Sequence, residues 1–359
     1  MPAEFVAALL DLDRQFPADA TEHRVRDLRY ASTALREHRP DLSAVMHDVG
    51  NSCLAHFGEQ YASLLRRTQD ALALSFVRMS MRHGSWARDL HEYHNEMHAL
   101  ELLNGRLSRM RIEMGWQALP ITDWLLLSLF ATCHDLRQRE SVGYWHEIGA
   151  NERASIAETF RILDSVGFSR EQDREFYICL GLMIAGSTFD ARVSAPNPFN
   201  TADHASSGGS LAPKLVSQLA DGQAPEEWDD ILQRRARLML IAADLDTANV
   251  GEPFVSLASS AVRLVQEREK RAGRALNATE SAQPVFDFLT DGQERYFFEL
   301  HRFVSPIGLD VFGGGKQINE DKVRRQSEFM RQLFPGGPRP GCTGQHIIDA
   351  FLLSADAIG

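Results

Sequence analysis

Apolar residues recur at helical spacing along most of the chain. Phe5, Leu9, Leu10 and Leu12 open with such a stripe, and Val45 to Leu74 continues it with few Gly or Pro breaks. Ile121 to Leu136, Ser155 to Leu163, Phe176 to Ile184 and Ile231 to Leu245 are apolar runs without the alternation of strands. Asp221-Gly222 and Asp291-Gly292 have helix-like flanks, so neither reads as a hairpin turn. The pattern predicts an all-α fold. Loops are expected at Ser194 to Ser210 and at Pro335 to Gly341, with a bend at Gly313 to Gly315 and a short last helix. No internal repeat is present.

The chain has 359 residues, enough at ~100–200 per domain for two domains or one large domain with an extra module. Hydrophobic residues at 44% and charged residues at 24% exclude a mainly disordered chain. The net charge of −11 argues against general affinity for nucleic acid or anionic membranes. Cys53, Cys133, Cys179 and Cys342 form no CxxC pair, which suits a reducing cytoplasm. Acidic residues among the first apolar positions are unlike a secretory signal, and Ile121 to Cys133 is too short to span a bilayer. A soluble cytoplasmic protein is expected.

Three clusters carry candidate chemistry. In Tyr93-His94-Asn95-Glu96-Met97-His98, the two histidines are four apart and would share one helix face. Imidazole suits both transition-metal ligation and proton transfer near neutral pH. The plain alternative is a solvated face or hydrogen-bonded core histidines. The doublet His134-Asp135 closes an apolar helix at the edge of a core, where a helix-terminal His beside a turn Asp is the alternative. The third cluster is Asp244-Leu245-Asp246, at the end of an apolar run. A carboxylate there is costly unless paired or metal-bound. Asp244 is placed closer to the apolar face, with Asp246 competing. His98, His134, Asp135 and Asp244 then make a two-nitrogen, two-oxygen set suited to a catalytic metal.

With these residues the chain resembles the HD-domain metal-dependent phosphohydrolases, and within them the class I cyclic-nucleotide phosphodiesterases. YHNEMHALEL is similar to the family's YHNxxHAxDV, CHDLRQRE to its HDxxHxG, and IAADLDTAN to its ADLSNP. GQERYFFEL is similar to its segment with Gln followed by an aromatic three residues on. The elements keep the family's order over about Ser85 to Pro306. The resemblance implies a helical-bundle catalytic domain at 85–306; outside it, the first residues lack such His/Asp clusters and read as an N-terminal helical module at 1–84, with a C-terminal helical tail at 307–359. It implies hydrolysis of a 3′,5′-cyclic nucleotide, cAMP or cGMP, to the 5′-nucleotide. His94 would be the general acid. His98, His134, Asp135 and Asp244 would hold the first of two divalent metal ions, Zn with Mg or Mn, and Asp135 would bridge to the second. Glu152 would support the second ion's waters. Gln293 would bind the purine edge and Tyr296 would stack on the base, with Tyr93 also on the substrate. Glu101, one turn beyond His98, either orients an imidazole or is a surface carboxylate.

The chain departs from the family in places. Gln138 stands where the family has its second His, Glu101 where it has Asp, and Thr247 where it has the base-reading Asn, with Asn249 nearby. Two rival functions follow. One is an HD phosphohydrolase of another nucleotide (a monophosphate, a dNTP or an alarmone), for which Arg137, Arg139 and Arg153 supply cations. The other is a catalytically lapsed nucleotide sensor. His146, His204 and the Gly/Lys run near residue 315 are read as a surface group, a solvated loop group and a false phosphate loop. The N-terminal helices are expected to pack on the domain or to form a homodimer.

Overall fold

The computed structural model describes residue 8 and residues 12–138, 149–190 and 209–359. Phe5, Leu9, Leu10, Arg139, His146, His204 and most of Ser194 to Ser210 lie outside the described residues. The described chain is helical nearly throughout, and its only strands are two-residue stretches at Phe189–Asp190 and Gly209–Ser210. The expected all-α class is what the structure shows. Among the described residues no helix is long and apolar enough to cross a membrane, and all four cysteines are free.

The chain divides into two compact units, one of Met1–Leu90, His94–Thr188 and Ser210–Asp246, the other of His91–Tyr93, Phe189–Gly209 and Thr247–Gly359. These are not the three segments expected from breaks after residues 84 and 306. The first unit holds α1 (Leu12–Gln15), α2 (Ala20–Arg24), α3 (Leu28–His38), α4 (Pro40–Phe57), α5 (Ala62–Arg82) and α6 (Glu96–Leu100). It continues with α7 (Leu107–Met114), α8 (Ile121–Cys133), α9 (Ala150–Ser165), α10 (Arg174–Ser187), α11 (Ala212–Ala220) and α12 (Asp230–Thr247). The long helix expected over Val45 to Leu74 is split by Gly58, whose φ of 98° glycine adopts without strain.

The reason the N-terminal helices are not a separate module lies in α5. Every position from Ala71 to Ser80 is buried, the mark of a helix surrounded by others, and α5 packs against α3, α8 and α9. Its buried arginines need counter-charges, and α2 supplies them. Arg82 Nε binds Asp19 Oδ2 at 2.7 Å, and Arg78 Nη1 lies 3.3 Å from Glu22 Oε2. Arg161 of α9 and Arg137, just after α8, also reach Glu22, at 2.6 and 3.2 Å, and Arg82 Nη2 is 2.8 Å from the buried Glu158 of α9. Removing a fully buried partner such as Glu158 from this set costs about 3–5 kcal/mol, and Asp19 and Glu22 tie α2 to it.

In the second unit, α13 (Phe254–Arg271), α14 (Ala282–Asp287), α15 (Gln293–Arg295), α16 (Pro306–Leu333) and α17 (Gly344–Ile358) surround one apolar core. Phe254, Leu257, Val285, Leu289, Phe297, Val323, Met330, Ile347 and Phe351 are all in it. The segment after residue 306 is therefore half of a core, not a tail. The bend expected at Gly313 to Gly315 is absent, because α16 runs straight through these residues. They serve close packing instead: a Cβ at Gly315 would sit 2.1 Å from the Gly251 carbonyl oxygen, and one at Gly251 would sit 2.5 Å from that of Phe312.

Burial opposes ionisation of Asp19, but the Arg82 hydrogen bond and charge prevail and lower its carboxyl from 3.8 to about 2. A depressed folded-state value gives stability that is present above ~4 and lost as pH falls towards 2. Asp19→Asn is expected to remove up to about 2 kcal/mol at pH 7 and to flatten the acid limb of a urea-unfolding series between pH 4 and 2. An unchanged acid limb would show that the Asp19–Arg82 pair is not what stabilises this end of the molecule.

Candidate metal centre

The site begins at the far end of a buried ion pair. Asp123, in the first turn of α8, is fully buried. Two arginines of α12 hold it: Arg234 Nε donates to Oδ1 at 2.7 Å and Arg237 Nη2 to Oδ2 at 2.8 Å. About three turns further along each helix, α8 ends at His134 and Asp135, and α12 ends beside Asp246. The pair thus sets the register in which these residues meet. Arg106, almost fully buried, donates through Nη1 to the carbonyls of Leu245 and Asp246 at 2.9 and 2.6 Å. A cation at the C-terminal end of α12 suits its dipole and holds Asp246 in place.

Four ligand atoms converge there. His134 Nε2 lies 3.2 Å from Asp135 Oδ2 and 3.3 Å from Asp246 Oδ1. His98 Nε2, on α6, lies 3.2 Å from Asp246 Oδ1 and 3.8 Å from Asp135 Oδ2. His98, His134 and Asp246 each offer one atom within 4.8 Å of the others. Asp246, not Asp244, supplies the α12 carboxylate. The two are ~200° apart around the helix, so only one can face the histidines, and the apolar run alone does not say which. Asp244 is buried.

The donor set fits a cation. His134 Nδ1 lies 3.1 Å from the Phe130 carbonyl, which can only accept, so Nδ1 carries a proton and, in the neutral ring, Nε2 presents its lone pair. That Nε2 is buried and aligned for a hydrogen bond with neither nearby carboxylate. His98 Nε2 is hydrogen-bonded to Asp246 Oδ1 at 3.2 Å, whereas the His134 Nε2 lone pair and the carboxylate oxygens beside it would be matched by a shared positive partner. Bonds of about 2.0–2.1 Å to a tetrahedral zinc ion would place ligand atoms about 3.3 Å apart. The electrostatics carry the same sign. Burial opposes ionisation of both Asp135 and Asp246, yet His134 foremost holds each well below the usual carboxylate range, with His94 and His98 adding at Asp135. In return, burial works against charge on His134, but Asp135 and Asp246 push it well above the usual imidazole value.

The remaining expected residues fall into place around this group or away from it. His94 does not share a helix face with His98. It precedes Asn95, whose side chain caps α6 by accepting from Met97 N at 2.8 Å. The His94 ring is still 6.4 Å from that of His98. Glu101 Oε2 is 3.9 Å from His98 Nδ1, beyond a hydrogen bond but close enough to bias the ring electrostatically. Glu152, in the first turn of α9, is pushed up by burial first and then by Asp135 and Asp246. It lines a 360 Å³ cavity with Arg153, Ile156, Thr188 and Leu215. Tyr93, Gln293 and Tyr296 belong to the second unit. Tyr93 N donates to Glu267 at 3.0 Å, and Arg263 lies over its ring. Gln293 is buried on α15. Tyr296 is 3.4 Å from Asn249 Oδ1 through its hydroxyl and packs against Phe189 and His301.

A second acidic cluster, Asp19, Glu22 and Glu158, also has ligand-like spacing. Its charge is already matched by Arg78, Arg82, Arg137 and Arg161, so it is a structural ion network. Sequence reasoning missed Asn151, which hydrogen-bonds Gln138, and Arg106. The one available signal was an arginine inside the apolar run Leu102 to Met110. No protein-family model matches the chain, and no curated protein matches it either.

Two outcomes follow from this geometry. Replacing Arg234 and Arg237 together by Met leaves Asp123 as an uncompensated buried anion. This is expected to cost about 3–5 kcal/mol in urea unfolding. Asp123→Asn is expected to cost less, since both arginines reach water; the reverse order would refute the clamp. Zinc titration is expected to show Asp246→Ala weakening binding by more than the ~10–100-fold typical of groups that only orient ligands, with Asp244→Asn within a few-fold of the parent. Wild-type binding is expected to weaken as pH falls through the imidazole range, because protons and metal compete for the same nitrogens. Equal losses at Asp244 and Asp246 would overturn the assignment.

Proposed function

We propose that the chain is an HD-type metal-dependent phosphohydrolase that opens a 3′,5′-cyclic nucleotide to the 5′-nucleotide. The observation that carries this reading is the convergence of His98, His134, Asp135 and Asp246, whose imidazole nitrogens and carboxylate oxygens lie 3.2 to 3.8 Å apart. The motif resemblance supplies the substrate class.

In this reading His98, His134, Asp135 and Asp246 hold a divalent cation, zinc being the best match to two nitrogens and two oxygens. When bound, such a cation lowers the pKa of water towards ~7 and neutralises charge on phosphate oxygens. Water attacks phosphorus and the bond to O3′ breaks. The leaving oxygen is a poor alkoxide, and His94, half-buried and near enough for its charge to act on Asp135, delivers its proton. Glu101 biases the His98 ring from its other nitrogen. Base recognition by Gln293 and Tyr296 rests on the resemblance.

A second reading is favoured by one contact. Gln138 Nε2 donates to Asp135 Oδ1 at 2.8 Å, which makes the centre a simple four-ligand set and suits another phosphate ester, such as a nucleoside monophosphate.

The test is incubation of the full chain, with Zn, Mn or Mg added, with cyclic AMP, cyclic GMP and the nucleoside 5′-monophosphates, products being separated by chromatography. Release of a 5′-nucleotide from a cyclic substrate, lost in Asp246→Ala, is the expected result, with His94→Ala lowering kcat by ~10²–10⁴. Inorganic phosphate from monophosphates alone would select the second reading. Metal binding with no turnover of any substrate would overturn both and leave a nucleotide sensor.

A further inference from the structure

The resemblance implies two metal ions, with Asp135 bridging them, and the residues at Asp135 do not fit that arrangement. Its two oxygens are used differently. Oδ2 faces the histidines, 3.2 Å from His134 Nε2. Oδ1 accepts a hydrogen bond from Gln138 Nε2 at 2.8 Å. The amide cannot be turned over, because Gln138 Oε1 accepts from Asn151 Nδ2 at 3.1 Å. Flipped, it would set oxygen against the Asp135 carboxylate and one NH₂ group against another. A donor NH₂ therefore stands beside the oxygen that a bridging carboxylate would turn to a second cation.

We infer that this centre takes one divalent cation per chain, and that Gln138, oriented by Asn151 from the first turn of α9, is the positioning residue that makes Asp135 a terminal ligand. The inference rests on the cation-binding reading above. Among the described residues, the group of ligand atoms at this site is His98, His134 and Asp246, with Asp135 alongside. The chemistry agrees: a primary amide nitrogen bears no lone pair available to a metal, whereas an imidazole at the same position would. Asn151 is in the α9 turn that also carries Glu152, so the relay Asp135–Gln138–Asn151 joins the end of α8 to the start of α9. Selectivity for one ion is thus set by two neutral side chains.

The experiment is metal stoichiometry on the full chain. The protein is stripped with chelator and dialysed against Zn²⁺ or Mn²⁺. Bound metal is counted by mass spectrometry and affinity measured by calorimetry, with circular dichroism and thermal melting as folding controls. Wild type is expected to hold one ion per chain. Gln138→His is expected to add a second, weaker ion. Asn151→Ala, which keeps Gln138 but removes the bond from Asn151 to its amide oxygen, is expected to weaken the single ion by ~10–100-fold. Two ions in the wild type, or one in Gln138→His with an unchanged affinity in Asn151→Ala, would overturn the inference. No metal in the wild type under any condition would instead overturn the cation reading of the site.

Discussion

Asp123 is a full negative charge placed inside the first turn of an apolar helix, and two arginines of α12 neutralise it. Such a pair adds little net stability over apolar packing, because desolvation offsets most of the Coulomb gain. Its value is positional. With α12 held against the start of α8, about three turns of each helix bring His134, Asp135 and Asp246 to one place. Sliding one helix by a single residue would rotate its ligands by ~100° and scatter the group.

The same constraint recurs at the turn after α8. Arg82 donates to the Leu136 carbonyl at 2.6 Å while its other nitrogens are held by Asp19 and Glu158. Arg137, one residue further, is fixed by Glu22 and by its backbone N–H on Ser155 Oγ. The residues that follow Asp135 are therefore anchored from α2, α5 and α9. Glu22 of α2 thereby contacts the turn that follows the candidate ligands without touching any of them.

Neutral groups complete the arrangement. The Phe130 carbonyl sets the His134 tautomer, and the Gln138 amide occupies the outer oxygen of Asp135. Neither changes the net charge of the group, yet together they decide which lone pairs point inward. In the second unit, backbone-to-backbone approach plays the comparable part, with Gly251 and Gly315 letting α16 settle against the turn after α12.

The amino-acid order alone specifies the all-α class, because helical periodicity is a local property that each apolar run carries. It also determined His98, His134 and Asp135 as candidates, since a polar doublet at the end of an apolar helix is costly without a partner. It did not determine the carboxylate on α12. Asp244 and Asp246 both end the same apolar run, and only the helix phase imposed by Arg234 and Arg237 on Asp123 turns Asp246 inward. Gln138 was visible as a departure, but its contact with Asp135 depends on Asn151 arriving from α9, thirteen residues away. The boundary after residue 84 failed for the same reason: the partners of Arg78 and Arg82 are distant in sequence and adjacent only after folding. Local spacing names the residue types; tertiary packing decides which lone pairs and charges meet.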